Sequence, residues 1–335
     1  MTAPSQGFRR LALATLVATF VLIVIGGIVR VSDSGLGCGP AGSGFHGWPF
    51  CNGDVVPGVD LNSIIEYTHR VVAAAVGFMV LALAVMAWRR HRANRPLVRM
   101  TVAATVLVAL QGALGGVVVE ENLEELLVAA HLGIAMIFLA MVMWIWRASK
   151  PEVIGRAPAR GGPRFRPLAW VASAAILATI IAGGYMAGTQ NYGRADYQLG
   201  DGAHHACGKE FPTCNGEFLP FGEARLVDIH LTHRVFMYIA SALVLWLIAL
   251  AVRRRPSATV VRLAYGALAV LSAQILVGAL NVWLDEYEAL IVTHLALGTG
   301  LWALLSGIVF QLYRVPGPPG DEEAAPPPER EAVPA

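Results

Sequence analysis

A chain of 335 residues that is 56% hydrophobic and 14% charged, with a mean hydropathy of +0.58, is too apolar to close into one water-soluble globule and reads as an integral membrane protein. The formal charge of +2 is nearly uninformative by itself, and nothing in the sequence suggests a nucleic-acid partner. Eight apolar stretches are long enough to cross a bilayer core, for which about 20 helical residues are needed: 11–31, 64–88, 98–119, 126–146, 168–189, 230–252, 260–283 and 289–312. The expected fold class is all-α integral membrane, with eight transmembrane helices as two pseudo-symmetric four-helix bundles.

Arg9 and Arg10 precede the first stretch as they would in a secretory signal. The apolar run exceeds the roughly 7–15 residues of a signal core, and no small-residue cleavage pattern follows, so it is read as a retained helix. There is no Arg- and Ser-rich presequence of the mitochondrial kind, and a bacterial cytoplasmic membrane is the expected location. Short cytoplasmic segments collect Lys and Arg. The N-terminus, the link carrying Arg89, Arg90, Arg92, Arg95 and Arg99, the 147–166 link and the 253–262 link are basic, whereas the opposite loops hold only Arg194, Lys209 and Arg225. Both termini are therefore expected in the cytoplasm, with the long loops 32–63 and 190–229 outside. All four cysteines lie in those loops, where an oxidising compartment permits disulfides. Cys38 with Cys51 and Cys207 with Cys214 are the pairs close in sequence, although sequence leaves pairing across the loops open. The Pro-, Gly- and Arg-rich segment 149–167 marks a boundary between residues 1–150 and 151–315, and the Pro-rich acidic tail 316–335 has too little apolar content to fold.

The two halves repeat. Thr68-His69-Arg70 returns as Thr232-His233-Arg234, His131 follows His69 by 62 residues and His294 follows His233 by 61, and Gln111 and Gln274 each stand 20 residues before the second histidine. The loops repeat too, Trp48-Pro49-Phe50-Cys51-Asn52-Gly53 answering Phe211-Pro212-Thr213-Cys214-Asn215-Gly216. Each histidine lies about five residues into an apolar stretch, roughly 8 Å below its outer end. Four imidazoles at one depth, in two repeated pairs, mark metal centres rather than packing. Bis-histidine ligation of a haem between facing helices suits them, because zinc or copper would want further ligands near each pair and none repeats. His46, His204, His205 and His91 fall in loops and are expected to face solvent.

Glu66 breaks the repeat. It stands one turn before His69 on the same helix face, where the second half has His230, so a carboxylate beside one pair alone makes the sites unequal and is placed to accept a proton. Arg30, Arg70 and Arg234 lie deep enough to need an anion or a carbonyl; haem propionates are natural partners, and snorkelling to the nearby outer interface is the alternative. Gly26-Gly27, Gly115-Gly116 and Gly183-Gly184 are expected to allow close approach of helices or cofactor.

Together and in order, Gly26-Gly27-Ile28-Val29-Arg30 leading to Ser34-Gly35-Leu36, the Trp48-Pro49-Phe50-Cys51 loop, Glu66-Tyr67-Thr68-His69-Arg70, Gln111 with Leu114-Gly115, His131-Leu132-Gly133, Thr232-His233-Arg234, Gln274 and His294-Leu295 resemble the haem A synthase family, membrane enzymes that convert haem O to haem A. The resemblance spans residues 8 to 315. It implies that His233 and His294 hold a permanent haem b and that His69 and His131 receive the haem O substrate. It also implies that Glu66 is the essential acid and that Cys38 and Cys51 are the family's outer-loop cysteine pair. The implied reaction oxidises a ring methyl to hydroxymethyl and then to formyl, for cytochrome c oxidase biogenesis. Candidate partners are haem O synthase, cytochrome c oxidase or its assembly factors, and a second copy of the chain. The chain departs from the family in loop 32–63, where Ala41 to His46 look inserted between Cys38 and Trp48. A non-catalytic dihaem cytochrome in quinone-linked electron transfer would use the same four histidines but gives Glu66 no reason. A haem carrier would need an open path.

Overall fold

The computed structural model describes residues 4–189, 202–284 and 287–316. The expected tail beyond Pro316 and the whole 190–201 segment, with Arg194, lie outside the described residues. The described chain is helical, with eight helices long and apolar enough to cross a membrane: α1 (Gln6–Val31), α2 (Leu61–Arg90), α3 (Arg95–Glu120), α4 (Glu125–Ala148), α5 (Phe165–Gly188), α6 (Arg225–Arg254), α7 (Ala258–Trp283) and α8 (Glu288–Gln311). Each begins one to five residues before its apolar stretch, because polar residues build the first turns. The side chains of Asp60, Asn94, Glu124 and Ser257 accept the backbone N–H three residues on and so cap α2, α3, α4 and α7. The outer loops are correspondingly shorter than expected. Arg225, read as a loop residue from sequence, opens α6.

α1 and α3 each pack on both α2 and α4, and α5 and α7 each pack on both α6 and α8, so the helices form two rings of four. The rings meet where α4 packs on α5 and α1 on α8. In a bilayer, helix contact rests on close packing and polar bonds rather than on apolar burial. Glycines along the join supply the closeness. A methyl built on Gly27 of α1 would stand 2.5 Å from Leu295 of α8, and one on Gly184 of α5 would stand 3.0 Å from Leu132 of α4. Polar ties across the join are the Arg30 guanidinium donating to Ala187 O at 2.7 Å, Trp302 Nε1 donating to Met136 O at 2.8 Å, and an Arg225–Glu125 ion pair. The 149–164 link is fastened to the end of α8, Ala159 N–H donating to Gln311 O at 2.8 Å.

Candidate functional site

His69, His131, His233 and His294 sit on α2, α4, α6 and α8, eight residues into α2 and α6 and six into α4 and α8. Each ring lies against a glycine of the preceding helix. A methyl built on Gly26 would stand 3.2 Å from His69 Cε1, on Gly115 3.3 Å from His131, on Gly183 3.0 Å from His233 and on Gly278 2.9 Å from His294. These separations are below an ordinary carbon contact of about 3.5–4.0 Å. Gly278 was not among the glycines singled out from sequence. Its signal was available, because Gly115 and Gly278 each stand 16 residues before the second histidine of their half.

His233 Nδ1 lies 3.1 Å from Thr179 O, an arrangement that leaves Nε2 as the ligating lone pair when Nδ1 donates. Gln111 Nε2 donates to His131 O at 2.7 Å, whereas Gln274 Nε2 lies 3.1 Å from His294 Nε2. The two glutamines occupy the same repeat position and steady their histidines differently. Nδ1 of His69, His131 and His294 is buried with no hydrogen-bond partner among the described residues. Among those residues no three metal-ligating side chains cluster. All four line one cavity of about 1080 Å³, with Glu66, Gln111 and Gln274 also in its wall. This exceeds the roughly 300–1,000 Å³ of a small-ligand pocket. Paired imidazoles, orphaned ring nitrogens and side-chain-free glycine faces in an apolar cavity fit a planar tetrapyrrole held between helices.

The outer loops close this cavity with matched machinery of opposite polarity. Glu66 is 4% exposed; its Oε2 accepts the Cys38 N–H at 2.7 Å and its Oε1 pairs with Arg70. Arg70 Nη1 also donates to Gly47 O at 2.6 Å and Phe50 O at 2.7 Å, and the Trp48 ring between them packs on Gly116 of α3. In the second half Arg234 donates to Thr213 O at 2.8 Å and Glu210 O at 2.7 Å, and His230 Nδ1 meets Ala203 O at 2.7 Å. Where Glu66 takes a loop N–H, His230 faces a loop carbonyl. The structure joins Cys38 to Cys51 and Cys207 to Cys214, which fastens each loop close to these contacts.

The expectation that the loop histidines face solvent holds for His46 and fails for His91, His204 and His205, which are half-buried. His204, in a short 3₁₀ turn Ala203–His205, lines the cavity; burial, with His230 and His233 close by, holds its imidazole well below the usual histidine range. His91 is half-buried, its ring edge-on to Phe8, while His46 is exposed and His205 half-buried. The physical reason is that the chain folds its loops and helix ends back onto the bundle, which local polarity does not encode.

A family model described as cytochrome oxidase assembly protein, COX15-CtaA, matches residues 9–306, and so takes in all four paired histidines and Glu66. The chain belongs to this family. Among its COX15-CtaA relatives is a heme A synthase of Symbiobacterium thermophilum, 29% identical over 318 residues that cover 91% of this chain and 95% of the relative. A heme A synthase of Halalkalibacterium halodurans is 31% identical over 226 residues, 66% of this chain and 68% of the relative. One of Bacillus licheniformis is 34% identical over 139 residues, 42% and 44%.

Proposed function

We propose that the protein is a haem A synthase that oxidises a methyl substituent of haem O to a formyl group, by way of the hydroxymethyl, for cytochrome c oxidase biogenesis. One observation carries the assignment beyond the family relationship. Two histidine pairs share a cavity, and one pair has beside it a buried carboxylate, Glu66, where the other has His230. A dihaem cytochrome that only relayed electrons would have no use for that difference. On this reading residues 1–150 form the substrate half, with His69 and His131 on the haem O iron, and residues 151–315 form the cofactor half, with His233 and His294 on haem b. Bound there, haem b supplies reversible one-electron chemistry.

This chain's residues do the rest. Gly26, Gly115, Gly183 and Gly278 give the macrocycle faces without side chains. Glu66, steered by Cys38 N–H and Arg70, accepts a proton or balances positive charge at the methyl being oxidised. Arg234 Nε is buried with no partner among the described residues, which supports a propionate contact there; Arg30 and Arg70 line the same cavity. The disulfide-bearing loops face the outside of a bacterial cytoplasmic membrane, and haem O synthase, the oxidase or its assembly factors, and a second copy are the partners to look for. Pigment extracted from membranes that co-produce this protein with a haem O supply should contain formyl-bearing haem. A low-spin haem signal without any haem A would instead make the protein a dihaem cytochrome.

A further inference from the structure

The cavity is unequal in a way that neither the histidines nor Glu66 explains. Beside the first pair it runs down between α2 and α3 as far as Leu81 and Thr105, twelve residues past His69 or about 18 Å along the helix. Its wall there includes Phe78, 72% exposed on the membrane face, and Leu81, 45% exposed, so the slot opens sideways toward lipid. Beside the second pair the wall on α6 reaches only Ser241, eight residues past His233, and Met237, Ser241 and Ile275 on that wall are half-buried.

Side-chain size accounts for the difference. At equal distance from the paired histidines, Ala73 answers Met237, Gly77 answers Ser241 and Gly112 answers Ile275. Nothing stands within 4 Å of a methyl built on Gly77 or on Gly112, so neither glycine is there to let helices touch. The space they leave is continuous with buried polar atoms that lack partners among the described residues, His69 Nδ1 and Gln111 Oε1. A groove held open on the lipid side and joined to such a site suits a ligand with a polar, metal-bearing head and an apolar tail.

We infer that the slot between α2 and α3 binds the long isoprenoid substituent that distinguishes haem O from haem b, and that Met237, Ser241 and Ile275 deny the second pair such a tail. This rests on the haem A synthase reading and adds to it the reason why two bis-histidine sites of common design take different haems. The occupant is the substrate's hydrocarbon tail; a phospholipid chain is the competing occupant.

The test gives the first half the second half's residues. Purified Ala73→Met/Gly77→Ser/Gly112→Ile protein, its second site filled with haem b as proof of folding, is titrated with haem O and with tail-less haem b and followed by absorbance. Affinity for haem O at the first pair should fall about tenfold or more, while that for haem b changes less than about twofold. Gly112→Ala should give a smaller loss in the same direction. In the converse variant, Met237→Ala/Ile275→Gly, the second pair should accept haem O. Unchanged haem O affinity in the triple variant, as expected if the slot only holds lipid, or equal loss of both haems, would overturn the inference. Normal discrimination by a protein that never forms haem A would leave the slot standing and remove the function.

Discussion

Arg70 holds the two outer-loop carbonyls of Gly47 and Phe50 as well as Glu66, so the acid and the loop above it form one unit. Glu66→Ala removes one partner and leaves the other two, and the cost to folding should stay at about 1–3 kcal/mol. Purified Glu66→Ala protein should retain haem while haem A disappears from extracts; undiminished haem A would remove Glu66 from the chemistry. Arg234 has no such acid and spends its guanidinium on Thr213 and Glu210 carbonyls. Arg234→Ala should therefore lower thermal stability by about 2–4 kcal/mol through the loss of charge-assisted bonds, read as an earlier melting transition in detergent. His233→Ala and His294→Ala should each abolish the low-spin haem b spectrum, and a surviving spectrum would reassign the ligands. The four histidines and Glu66, which meet in one cavity, were legible as candidates because a duplicated sequence keeps its letters in register, and the failure of register at Glu66 is itself a letter. His204 was not, since its burial depends on how the loop folds over α6.

At the level of helices, hydropathy located all eight and misjudged where they begin, because a window that scores apolar content cannot see a capped polar first turn such as Asp60 to Asn62. The glycines placed against the histidines leave the room that each ring occupies. Gly183→Val should push His233 aside, since even a single methyl there comes within 3.0 Å of Cε1, and the variant should purify with substantially less haem b. Gly300→Ala on α8, where a methyl meets nothing within 4 Å, should purify with its full complement. Equal haem content in the two would separate the glycine from the ring. The role of Gly115-Gly116 and Gly183-Gly184 in close approach was readable as small-residue pairing, but which glycine serves a histidine and which serves the neighbouring ring of helices required the path of the chain.

The whole molecule carries information that a repeat hides. Two copies of a motif suggest two separate pockets, yet the rings meet closely enough for both histidine pairs to share one cavity, joined across the seam by Arg30, Trp302 and Glu125. The basic links predict that a reporter enzyme active only in the cytoplasm, fused after Pro316, will work, and that one fused within the 203–224 loop will not; the opposite pattern would invert the protein in its membrane. The loop that carries Trp48 has a last consequence. With its ring seated on Gly116 and its flanking carbonyls gripped by Arg70, it closes the loop end of the first site and leaves the wall at Phe78 and Leu81 open. On the haem A synthase reading, a product leaving through that wall would enter the bilayer, and its delivery would then depend on lateral encounter between membrane neighbours.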